Sequence, residues 1–249
     1  MAGHSKWANI KYRKERQDAK RGQMFTKATK ELMLAAKLGG GDPEMNSRLR
    51  MAIEAAKYIN MPKDKIDTAI KKGTGEISTG SIEEVLYEGY GPGGVALLVE
   101  AATDNKNRTV AEIRKIFSKS SGNLGESGCV SWMFDKKAVF SFDKQKYSEE
   151  QLLEVGLEAG AEDVLDEGHV FEVHAAPESY MEVKQAYEQA GLELQNAEVT
   201  MLPQTTMQLD LETARKALKL YEQLDDHEDV QKVYTNFEIP DELYQELRN

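Results

Sequence analysis

Apolar positions along the chain follow two periods. Between residues 25 and 38 they fall at Phe25, Ala28, Leu32, Ala35, Ala36 and Leu38, a spacing that predicts a helix. Gly39-Gly40-Gly41 stops it, and Asp42-Pro43 opens the next turn. Leu49, Ala52, Ile53 and Ala56 place a second helix over Met45 to Tyr58, which Asn60-Met61-Pro62 breaks. Pro62 suits the first turn of a third helix, carrying Ile66, Ala69 and Ile70 and running to Gly73. The last two helices can be read as a helix-turn-helix, but any small bundle contains such a turn.

From Ile82 the period shortens to that of strands. Val85 to Tyr90 and Val95 to Ala101 flank Pro92-Gly93-Gly94 and read as a hairpin. Asn105 to Ser120 is helical through Val110, Ile113, Ile116 and Phe117, and Cys129 to Phe134 reads as a further strand with a small buried thiol. Between Lys137 and Pro203 comes a strand (138–142), a helix (148–159), two strands (162–165 and 169–174), a helix (178–190) and a strand (194–201). That βαββαβ order is the ferredoxin-like one. After it come a helix (209–224), a strand (230–235) and a short C-terminal helix, too little to fold alone. These pieces would complete the sheet begun at Ile82. The expected class is therefore α+β. A helical N-terminal domain (1–76) precedes a discontinuous α/β domain (77–134 and 205–249), into which a ferredoxin-like α/β domain (135–204) is inserted.

Charge divides the chain unevenly. Its 249 residues carry a net charge of −11, yet residues 1–74 hold 17 basic and 8 acidic side chains, leaving −20 for the remainder. A basic module on an acidic body favours a polyanion bound at one end. The competing reading is that the basic face docks on the protein's own acidic surface. No apolar run reaches the roughly 18–20 residues of a membrane span, and the N-terminus has no apolar segment of the secretory kind. With one cysteine, Cys129, no internal disulfide forms, which fits a reducing cytoplasm.

Catalytic and metal patterns are missing from the sequence. His4, His169, His174 and His227 have no metal-binding spacing, and residues five apart on one strand face opposite ways. Gly73-Thr74-Gly75 and Gly89-Tyr90-Gly91-Pro92-Gly93-Gly94 fit neither phosphate-loop pattern. Glu83-Glu84, Glu149-Glu150 and Asp225-Asp226 are adjacent pairs of the kind found on solvated faces. The expectation is a non-enzymatic protein without a cofactor.

The chemical signal lies in the N-terminal arm. Lys6, Lys11, Arg13, Lys14, Arg16, Lys20 and Arg21 are interleaved with Trp7 and Tyr12. Cations meet phosphates, and aromatic rings offer planes on which unpaired bases stack. Lys27, Lys30 and Lys37 extend the basic face along the first helix, and Lys63, Lys65, Lys71 and Lys72 give the third helix a second patch. The third helix is rich in Lys rather than base-reading Arg, Asn or Gln, which favours phosphate contact. These residues do not separate duplex DNA from structured RNA.

Longer motifs resemble a known family. Ala2-Gly3-His4-Ser5-Lys6-Trp7-Ala8-Asn9-Ile10-Lys11, Met61-Pro62-Lys63-Asp64, Ala69-Ile70-Lys71-Lys72-Gly73-Thr74-Gly75, Tyr87 to Gly94 and Thr103-Asp104-Asn105-Lys106-Asn107-Arg108-Thr109 are similar to signatures of the YebC/PmpR family. So is Trp132-Met133-Phe134 after Gly122-Asn123-Leu124-Gly125. Cys129 departs from the pattern, where a small Ser is more usual. The resemblance spans essentially the whole chain. It implies a three-domain cytoplasmic protein, described in this family as a DNA-binding transcriptional regulator. It also implies an alternative, since mitochondrial relatives are described as translational activators of cytochrome oxidase synthesis. Other members are associated with the ribosome and with synthesis through proline runs. The expected partner is nucleic acid, either duplex DNA or ribosomal or structured RNA.

Overall fold

The computed structural model describes residues 21–78 and 80–248, which form two compact units. The first comprises residues 21–131 and 212–235, and the second residues 132–211 and 236–248.

The first unit opens with three helices, α1 (Arg21–Gly39), α2 (Ser47–Tyr58) and α3 (Lys63–Gly73). Their apolar stripes meet in one core of Leu32, Ala35, Ala36, Leu49, Ala52, Ala56, Met61, Ile66 and Ala69. Gly40 ends α1 in the left-handed region, at φ 86°, where its amide donates to the Ala36 carbonyl at 2.9 Å. Asn46 then caps α2: its Oδ1 accepts from the Leu49 amide at 3.0 Å. Its Nδ2 donates to the Ala35 and Gly40 carbonyls, both at 2.8 Å. One buried amide thus joins the end of one helix to the start of the next. Phe25 of α1 lies beneath the Lys65 ammonium at 5.6 Å, and Gly73 passes close to Met33, so α1 and α3 run in the same direction. A Cβ on Gly73 would lie 2.3 Å from the Met33 carbonyl oxygen. Only glycine permits that approach.

The same unit holds a four-stranded sheet. Strands β1 (Glu83–Tyr90) and β2 (Ala96–Thr103) form the expected antiparallel hairpin around Pro92–Gly94, with Gly93 and Gly94 at positive φ. Helix α4 (Lys106–Lys119) follows, and then a two-residue strand, β3 (Asn123–Leu124), too short for a period to announce. The far side of the hairpin is closed by β8 (Val230–Thr235), after helix α7 (Leu211–Asp225), giving the order β3-β1-β2-β8. Phe117 of α4 lies over Gly89, and Leu220 of α7 against Gly91 and Gly122. A second stripe of α1 reaches this sheet: Leu34, Ile82 and Ala102 are buried together, with Met33 at their edge.

The second unit carries β4 (Phe134–Asp143), α5 (Glu149–Glu158), β5 (Ala161–Asp166), β6 (Val170–Ala175), α6 (Tyr180–Gln189) and β7 (Asn196–Pro203). Its all-antiparallel sheet is ordered β5-β6-β4-β7, the ferredoxin-like arrangement that the element order predicts. Phe140 stacks on Tyr180 at 5.4 Å, and Phe142 meets Tyr187 edge-on at 4.6 Å. The Tyr187 hydroxyl donates to the Leu152 carbonyl of α5 at 2.8 Å.

Two expectations are corrected. Residues 129–133 are not a strand: Gly128 takes φ 87° and a 3-10 turn spans Ser131–Met133, so extended structure begins at Phe134. The reason is Glu88, whose buried carboxylate collects the amides of Gly128, Val130 and Ser131 at 2.7–2.8 Å. Cys129 is accordingly half-buried in a turn, not a strand thiol. The tail also departs from its expected place. From Asn236 it counts with the second unit, where Met207 and Phe237 form a parallel bridge ahead of helix α8 (Asp241–Arg248). Only α7 and β8 return to the first sheet.

Candidate nucleic-acid interface

The arm residues Lys6, Trp7, Lys11, Tyr12, Arg13, Lys14, Arg16 and Lys20 lie outside the described residues, as does the side chain of Arg21, whose backbone opens α1. What the structure does place is the end at which the arm joins. Because α1 and α3 run in parallel, the start of α1 lies beside the start of α3, and the antiparallel α2 ends at that same pole.

The expected lysines sort into two groups. Lys63, Lys65 and Lys71 are exposed and Lys72 is half-buried, and none of them pairs with a carboxylate among the described residues. Lys71 and Lys72 also sit in the last turn of α3, where cations complement the helix dipole. The lysines of α1 are engaged differently. Lys27 donates to the Asp225 carbonyl at 2.6 Å and lies 3.3 Å from its carboxylate. Lys30 donates to the Glu228 carbonyl at 2.9 Å and pairs with Asp229. Lys37 donates to the Ile82 carbonyl at 2.7 Å. For these three residues the protein's own acceptors take the place of a polyanion. The physical reason is α1's second contact face, which lies against the sheet.

Asp229 is the centre that periodicity does not reveal. Its side chain is fully buried and receives Lys30 of α1, Arg108 at 2.9 Å and the Thr109 hydroxyl at 2.7 Å. Burial alone would raise its pKa. The hydrogen bonds from Lys30, Arg108 and Thr109, with the Lys30 charge, outweigh that and lower it to about 2. The Thr103–Thr109 motif therefore has a local explanation. Asn105 caps α4 through the Arg108 amide, Thr103 accepts from the Asn105 amide at 2.9 Å, and Arg108 and Thr109 reach Asp229.

His227 completes this cluster instead of standing free on the surface. Its Nδ1 accepts from the Asp229 amide at 3.1 Å, which puts the proton on Nε2, facing Glu112 at 2.9 Å. Glu112, His227 and Asp229 are close enough to suggest a metal. With both ring nitrogens engaged and two cations already on Asp229, the grouping is a hydrogen-bonded network around one buried carboxylate. His169 is exposed in the turn before β6, and His174 lies on that strand 3.6 Å from Glu172. Two of the acidic pairs also have partners: Glu83 with Lys106, Glu84 with Arg48, and Asp225 with Lys27.

No described helix is long and apolar enough to cross a membrane. The comparisons with known proteins extend over the whole fold. Residues 5–76 match the TACO1/YebC protein N-terminal domain, and residues 82–237 the TACO1/YebC second and third domain. A "Probable transcriptional regulatory protein" of Maridesulfovibrio salexigens is 60% identical over all of both chains. One of the same name from Solidesulfovibrio magneticus is 61% identical, covering 98% of this chain and 100% of its own. A crystal structure of a conserved hypothetical protein, Aq1575 from Aquifex aeolicus, superposes with a TM-score of 0.80 at 49% identity. That match covers 90% of this chain and 93% of the other. With two domain models matching in the expected order and relatives this similar end to end, the chain belongs to the TACO1/YebC family.

Proposed function

We propose that the chain is a non-enzymatic, nucleic-acid-binding regulator of gene expression that grips its target with the helical bundle and the arm preceding it. The observation carrying this reading is the contrast among the lysines. Those of α1 are consumed by internal acceptors, whereas Lys63, Lys65, Lys71 and Lys72 of α3 have no carboxylate partner among the described residues. They lie on the bundle that follows the seven arm cations. Free lysines with few base-reading side chains fit phosphate contact that positions a nucleic acid. The names of the relatives speak for transcription, a workplace at which duplex DNA would be the partner.

A second reading, a translation factor on ribosomal or structured RNA, is favoured by Trp7 and Tyr12 within the arm, since rings stack on unpaired bases. One competition separates the two. The protein is mixed with ribosomes and excess duplex DNA near physiological salt, and the ribosomes are pelleted. Retention in the supernatant by DNA supports the transcriptional reading, and co-pelleting supports translation. Binding to neither nucleic acid overturns the proposal.

A further inference from the structure

Tyr58, the last residue of α2, has 75% of its surface exposed, more than any other aromatic among the described residues. A lone exposed apolar residue is ordinary on a surface. Tyr58 differs in how rigidly its backbone is held and in what surrounds it. The corner after it is fixed by the Asn60 amide donating to the Lys57 carbonyl and the Met61 amide to Ala56, both at 2.9 Å. Asn60 takes φ 59°, and Met61 is buried in the bundle core. The turn before the ring carries Glu54 and Ala55, both exposed, so nothing bulky covers it. The Tyr58 side chain makes no hydrogen bond, ion pair or ring contact among the described residues.

Exposed lysines flank it. Lys57 precedes it, and Lys63 and Lys65 follow across the corner, all exposed, with the exposed Glu54, Asp64 and Asp67 interspersed. This corner lies at the pole of the bundle where the arm joins α1. An exposed ring on a fixed backbone beside exposed lysines gains little from duplex DNA, whose base faces are stacked away. It gains from an unpaired base, which can lie flat on it while its phosphates meet the lysines. We infer that Tyr58 is a stacking platform for an unpaired base, so that the nucleic acid taken by this pole is single-stranded where it crosses the α2–α3 corner. The inference rests on the nucleic-acid reading above and adds the class of ligand.

The test uses the full chain and three end-labelled probes: oligo(U), oligo(dT) and duplex DNA. Each is about 20 nucleotides long, beyond the usual single-strand site. Binding is followed by fluorescence anisotropy at one salt concentration. Tyr58→Ala is expected to weaken binding of both single strands roughly tenfold and of the duplex less than about twofold. Tyr58→Phe and Tyr58→Trp should stay within about twofold of the parent on every probe, because the ring is the contacting group. The oligo(U) and oligo(dT) arms show whether the corner takes RNA and DNA single strands alike. Unchanged single-strand binding by Tyr58→Ala overturns the inference, as do equal losses on single strand and duplex, or Tyr58→Phe failing as badly as Tyr58→Ala. If the parent binds none of the probes, the nucleic-acid reading falls with it. If Lys71→Ala and Lys72→Ala weaken binding while Tyr58→Ala does not, the stacking platform alone is lost.

Discussion

A fully buried carboxylate is expensive unless its neighbours are built around it, and Asp229 has such neighbours in Lys30, Arg108 and Thr109. Asp229→Asn is expected to cost about 3 kcal/mol, the low end for a broken buried pair because Arg108 can rehydrate. Urea midpoints at neutral pH measure it. Since the folded pKa is lowered from 3.8 to about 2, the ionised group's contribution is complete above pH 4 or so and is lost as pH falls toward 2. The stability gap between parent and Asp229→Asn should therefore narrow over that interval. Glu88 follows the same sign. Burial raises its pKa, but the Gly128, Val130 and Ser131 amides lower it further, so its contribution is also lost on acidification. Glu88→Gln should cost about 1–3 kcal/mol and speed hydrogen exchange at those amides. Unchanged exchange would show that the turn holds its shape without the charge.

At the scale of elements, the helices were legible because each has a stripe at helical spacing and a chemical stop. Asn105 caps α4 where its sequence suggests a start, Asn46 starts α2 two residues later than expected, and Gly40 ends α1. The turn at residues 128–133 was not legible. Apolar and small residues there resemble a strand, and only the Glu88 carboxylate arriving from β1 converts them to a turn. Gly73→Ala should cost about 1–3 kcal/mol in chemical denaturation, because the new Cβ meets a backbone carbonyl that cannot swing aside. On the same helix, Lys71→Ala and Lys72→Ala should each flatten the salt dependence of nucleic-acid binding by about 0.7–0.9 in log–log slope. A slope that does not move takes that residue out of the interface.

At the scale of the whole molecule, the charge split is the dominant feature: +9 over residues 1–74 against −20 over the rest. Part of that basic charge serves the fold, since Lys27 and Lys30 are spent on Asp225 and Asp229. In the proposed reading the cations that meet a partner are those of the arm and of α3, with Lys57 at the end of α2. A chain beginning at Arg21 loses six arm cations, and its salt slope should fall by up to about five. Unchanged affinity and slope would move the interface elsewhere.

The sequence by itself determined the family, the α+β class, the ferredoxin-like unit and the basic character of one end. Periodicity, glycine stops and net charge are local or additive properties that survive without coordinates. Tertiary structure alone decided which lysines are paired within the fold. Lys30 and Lys63 are the same residue type on helices of one bundle, yet one meets a carboxylate from 199 positions away and the other meets none among the described residues. Periodicity carries no information about such distant partners. The same holds for the return of β8 to the hairpin, for the tail leaving that sheet and for Tyr58 standing uncovered at a capped corner. Each depends on which surfaces the folded chain brings together, and the free energy of an ion pair or an exposed ring is set there.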